Sequence, residues 1–76
     1  MILKYGVRNG KGETVVHITD NITDVEEIEG SNAPIFHHHN GDKPRTYFGN
    51  LKDNEHIIFM YLMNDEFKTI KIYKRA

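Results

Sequence analysis

The stretch "HIIFMYLM", residues 56 to 63, constrains this chain more than any other. Ile57, Phe59, Tyr61 and Met63 stand at one parity and Ile58, Met60 and Leu62 at the other, so an extended chain here is apolar on both faces. A short run rich in aromatic and β-branched residues reads as a strand, and two apolar faces put it at the centre of a sheet. Beyond Asn64-Asp65-Glu66 comes "FKTIKIYK" (67–74), with Ile70 and Ile72 at one parity and Phe67, Thr69, Lys71 and Tyr73 at the other. Two strand-length runs joined by a short polar turn predict a hairpin.

The N-terminus repeats the pattern. "ILKYGVR" (2–8) alternates Leu3, Tyr5 and Val7 against Lys4, Gly6 and Arg8, and "ETVVHIT" (13–19) follows the turn Asn9-Gly10-Lys11-Gly12. Asn and Gly tolerate positive φ, so a second hairpin is expected. Between the hairpins, "NITDVEEIEG" (21–30) has Thr23 and Glu26 at capping-box spacing, Ile22, Val25 and Ile28 at helical spacing, and Gly30 as a stop. That spacing predicts a two-turn helix docked on the sheet, with an acidic loop as the alternative. "APIFHHH" and "RTYFG" read as two further short strands separated by the loop "NGDKP". The expected fold is mostly β, α+β at most: a small antiparallel barrel or curled sheet of five to six short strands with one short helix, in a single domain over residues 1–76.

At 76 residues with no cysteine, neither disulfides nor a thiolate metal site supplements the core, which must come from an apolar 38% of the chain. No apolar run approaches the ~20 residues of a membrane span. The first residues lack a signal-peptide pattern, which makes a reducing cytoplasm the expected compartment.

Formal net charge is −1, yet the charges are segregated. Glu13 to Glu29 holds six acids and no Lys or Arg, whereas Phe67 to Ala76 holds four bases and no acid. A near-neutral total argues against bulk non-specific DNA binding but permits local patches. The two runs read as solvated faces that attract each other.

"IFHHHNGD" (35–42) holds three of the five histidines. On a strand, His37 and His39 project from one face about 7 Å apart and His38 from the other. Such a pair holds zinc or another divalent metal only if a third ligand converges, with His17, His56 and Asp42 as candidates. The competing reading is a polar strand end. Five histidines with ordinary values charge together near pH 6, which makes a pH response a further expectation.

For catalysis the chain offers no cysteine, a single serine (Ser31) and no phosphate-cradling glycine motif. The leading expectation is therefore a small non-enzymatic interaction module, a regulator or inhibitor that docks on a protein partner. Its contacts would be the acidic segment, through Asp24, Glu26, Glu27 and Glu29, or the exposed face of the last strand, through Phe67 and Tyr73. A second copy of the chain is a further candidate partner. The alternative is an RNA-binding or RNA-cleaving β-domain using Arg8, Arg45, Lys71 and Arg75 among aromatics, if the first and last strands are neighbours. The order "RTYFG…HIIFMYL…IKIYKRA" is similar to the last three strands of the small bacterial toxin ribonucleases, over less than half the chain. The N-terminal helices of that family have no counterpart here.

Overall fold

The computed structural model describes residues 1–31, 33–49 and 51–73. Its strands are β1 (Ile2–Arg8), β2 (Thr14–Thr19), β3 (Ile22–Glu26), β4 (Ile35–His38), β5 (His56–Met63) and β6 (Thr69–Ile72). All pairings are antiparallel. Four strands form one sheet in the order β2-β1-β5-β6, and β3 and β4 form a separate ribbon. The described residues contain no helix, hence none long and apolar enough to cross a membrane.

Both expected hairpins are present, and β5 is central. The sheet does not close into a barrel: β2 and β6 stand at opposite edges with β1 and β5 between them. The first and last strands are therefore separated by β5 and are not neighbours.

The expected helix over 21–30 is instead strand β3 and the turn after it, and the reason is a bulge. Ile22 pairs with His38 and Asp24 with His37, leaving Thr23 as an extra residue on β3. The insertion shifts the parity, so Ile22 and Val25 both turn inward although they lie three apart. A bulged strand thus reproduces the spacing of a helix face, and the β-branched residues Ile22, Thr23 and Val25 suit the strand. Ile28, the third position of the supposed face, is exposed.

A second bulge changes the facing of residues within β5. Val7 pairs with Ile57 and Gly6 with Phe59, so Ile58 is the inserted residue. Ile57 consequently joins Met60 and Leu62 in the core, while Phe59, Tyr61 and Met63 face the other way.

The core lies between the inner face of the sheet (Leu3, Val7, Ile57, Met60 and Leu62) and the ribbon (Ile22 and Phe36). Tyr47, Phe48 and Leu51 from the loop after β4 close its side. "RTYFG" is not a strand. Only Arg45 pairs, exchanging backbone hydrogen bonds of 2.9 and 3.1 Å with Phe36, and Tyr47 then leaves extended geometry at φ 69°. That turn sends the Tyr47 ring inward, edge-on to Phe36 at 5.7 Å, and Tyr73 makes a similar contact with Phe36.

Phe36 is fully buried and framed by two rings. Phe36→Ala is expected to cost about 3–5 kcal/mol, because the ribbon cannot collapse into the space left. Urea denaturation followed by circular dichroism measures the loss.

Candidate functional site

Opposed residues of antiparallel strands share a face, so the register defines both sides of the sheet. The ribbon covers the inner side of β1 and β5, whereas the inward residue Val15 of β2 is 57% exposed. The outer side carries Ile2, Lys4, Gly6 and Arg8 from β1, Thr14, Val16 and Ile18 from β2, Phe59, Tyr61 and Met63 from β5, and Thr69 and Ile72 from β6. None of these residues is an acid.

Much of the outer surface is apolar and accessible. Val16 (49%), Ile18 (56%) and Ile72 (54%) are exposed. Phe59 and Tyr61 stack with ring centroids 5.3 Å apart and planes 20° apart. The Phe59 ring lies over Gly6, where a Cβ would come within 2.4 Å of it. Gly6 thus lets an aromatic side chain lie flat on the sheet. At one end, Ile2, Ile18 and Phe67 line a recess of about 490 Å³ with Asp20 and Asp65.

The turn bearing Phe67 duplicates the first hairpin's turn. In the first, Gly12 N–H donates to the Asn9 carbonyl and Asn9 N–H to the Glu13 carbonyl; in the second, Phe67 N–H donates to Asn64 and Asn64 N–H to Lys68. Each Asn Oδ1 accepts two further backbone N–H groups, those of Lys11 and Glu13 or of Glu66 and Lys68. The left-handed position holds Gly12 at φ 81° in one turn and Phe67 at φ 60° in the other. A left-handed residue with a side chain costs roughly 1–2 kcal/mol, a penalty glycine avoids. Phe67 is nonetheless 63% exposed, so burial does not offset that penalty within the chain.

The structure separates the expected contact residues. Phe67 stands beside the outer face, but Tyr73 turns inward onto Phe36. In the acidic segment, Glu27 forms an ion pair with Lys71, and Glu26 lies 3.4 Å from His37. Asp24 and Glu29 are exposed. The Glu27 contact holds the Lys71 ammonium above its usual value.

The cations of the nucleic-acid alternative do not converge. Arg8 lies beside His56 at one end of β5, whereas Lys71 pairs with Leu62 near the other, roughly 20 Å away along the strand. Arg45 sits on the covered side, its guanidinium carbon 5.7 Å from the Tyr47 ring centroid. Arg75 lies outside the described residues.

The histidines also part. His37 points outward from the ribbon to Glu26, and His39, exposed in the turn, donates its backbone N–H to the Asn21 carbonyl. His17 stacks on Tyr5, and His56 opposes Arg8 on the sheet. Among the described residues, no group of three or more His, Asp or Glu side chains is arranged to hold a metal ion.

The histidine built into the fold is His38, whose Nε2 hydrogen-bonds the Tyr47 hydroxyl at 2.7 Å while its buried Nδ1 has no partner. Sequence reasoning missed it, although His38 shares the parity of Phe36. It also missed Gly6, whose signal was a glycine inside an otherwise regular strand pattern.

Burial pushes the Tyr5, Tyr47 and Tyr73 phenols above their usual value. A raised phenol favours the protonated folded state, so its contribution is whole below the unfolded value near 10 and is lost as pH rises through the folded value. Urea midpoints are therefore expected to fall only above about pH 10, in step with tyrosinate absorbance. Phe67→Gly is expected to raise stability by about 1 kcal/mol, measured in the same denaturation assay. Against protein-family models, curated proteins and solved structures, the chain has no match.

Proposed function

We propose that this chain is a non-enzymatic protein-interaction module that binds its partner with the outer face of the four-stranded sheet. The observation that carries the reading is Phe67: an exposed aromatic ring kept in a left-handed position, next to a sheet face on which Val16, Ile18 and Ile72 stay exposed. Strain retained at an exposed residue marks a site whose return comes from binding. Exposed apolar side chains concentrated on one side of a sheet mark an interface. Phe59 and Tyr61 supply stacked rings at its centre, and aromatic anchors dominate the energetics of such surfaces. The acidic segment is the weaker candidate, because Glu26 and Glu27 already have partners within the chain.

One observation favours a second reading. The Phe59–Tyr61 pair lies beside Lys4 with no acid among the outward strand residues, an arrangement on which single-stranded RNA could stack.

One capture experiment separates the two. Tagged protein incubated with lysate of the cells that encode it is expected to retain a protein partner through nuclease treatment and raised salt. Phe67→Gly and Ile72→Asp, both at exposed sites, should each abolish retention while leaving the strand signature in circular dichroism intact. Retention lost to nuclease, together with anisotropy-detected binding of labelled single-stranded RNA that Tyr61→Ala removes, would transfer the face to RNA. No retained partner of either kind would sink both readings.

A further inference from the structure

The free edge of β2 is built differently from a guarded sheet edge. "TVVHIT" contains no Lys, Arg, Asp, Glu or Pro, and all but its last residue are exposed. Edge strands are normally blunted by such residues because their unpaired N–H and C=O groups recruit other strands.

The turn fixes which groups are unpaired. Asn9 N–H donates to the Glu13 carbonyl, making Asn9 and Glu13 a hydrogen-bonded pair. Antiparallel ladders alternate, so Val15, His17 and Thr19 bond to β1, and Thr14, Val16 and Ile18 direct their N–H and C=O groups away from it. These same residues carry the outward side chains of the strand.

We infer that β2 pairs antiparallel with β2 of a second copy about a two-fold axis perpendicular to the sheet, joining two four-stranded sheets into one. Such an axis keeps outer face with outer face, so even-numbered residues must oppose even-numbered residues. Among the registers that pair Thr14, Val16 and Ile18, one also engages Asp20. It opposes Val16 to Ile18 of the second copy, His17 to its own counterpart, and Thr14 to Asp20 of the second copy. Every outward-directed amide of the strand then has a partner, and Val16 and Ile18 are shielded by each other.

Charge complementarity selects this register. The Arg8 Nε donates to Thr14 Oγ1 at 3.3 Å, which lays the guanidinium over β2 toward the free edge. Asp20 of the second copy arrives at Thr14 on the same face, within reach of that guanidinium, and the symmetry makes the contact twice. Within one chain Arg8 and Asp20 stand at opposite ends of the hairpin, roughly 20 Å apart, so they cannot meet internally.

Sedimentation velocity over a concentration series, on the full chain, tests the pairing. The wild type is expected to pass from monomer to dimer. Arg8→Asp and Asp20→Arg should each weaken association by about tenfold or more. The double variant should recover wild-type association, which only contact between two copies can achieve. Val16→Pro removes an outward N–H without touching the β1 ladder and should leave a folded monomer. A wild-type chain that stays monomeric throughout, as it would if the edge served another protein's strand, overturns the inference. So does a dimer that survives Val16→Pro, or single charge variants that the double variant does not rescue. These readouts involve the edge of β2 and none of the capture assay's variants, so either proposal can fail alone.

Discussion

Everything above the level of a hairpin depends on the seating of one side chain. Phe36 enters the space between ribbon and sheet, and its backbone pairs with Arg45 on the side away from β3. That pairing brings the following loop back over the core, where Tyr47 meets the Phe36 ring on edge and holds His38 by its hydroxyl. With no disulfide in the chain, this packed junction, together with the Met1 ammonium on the Ile22 carbonyl and the Glu27–Lys71 ion pair, fastens the two-stranded ribbon, marginal by itself, to the sheet.

Three bulges decide what could be read from the sequence. Strand-length runs with turn chemistry gave the two hairpins, and apolar residues at both parities gave the central position of β5, because these are local properties. An inserted residue breaks that logic. Thr23 gave β3 the spacing of a helix, and Ile58 put Ile57 on the core side with Met60 and Leu62, against its parity in the sequence. The candidate face was only partly legible for the same reason. Phe67 could be named as a contact residue from its parity and character, but its companions come from β1, β2 and β5, and strand order is not a local property. Tyr73, named alongside it, belongs to the core because the second hairpin carries an insertion at Ile70.

The two faces of the sheet show different balances between stability and exposure. Inside, apolar side chains are buried, and the polar exception, His38, is tied to a tyrosine. Outside, a glycine is kept where a side chain would lift an aromatic ring, and an aromatic is kept where a glycine would relax the turn. Both choices enlarge the flat apolar surface, and the second does so against the preference of the backbone.

The strand order also governs how the molecule assembles itself. β1 with β2, β3 with β4 and β5 with β6 are hairpins whose strands meet across short turns, whereas β1 and β5 meet only after about fifty residues of intervening chain. Closing a loop of that length costs roughly 2 kcal/mol more than closing one of the five-residue turns by chain statistics alone. Three quickly formed local units therefore wait on one slow seam, and contacts of high sequence separation set the pace of folding. Until the seam closes, β1 and β5 each present an open apolar edge, so the interval before their pairing is when the chain is most exposed to association with the wrong strand.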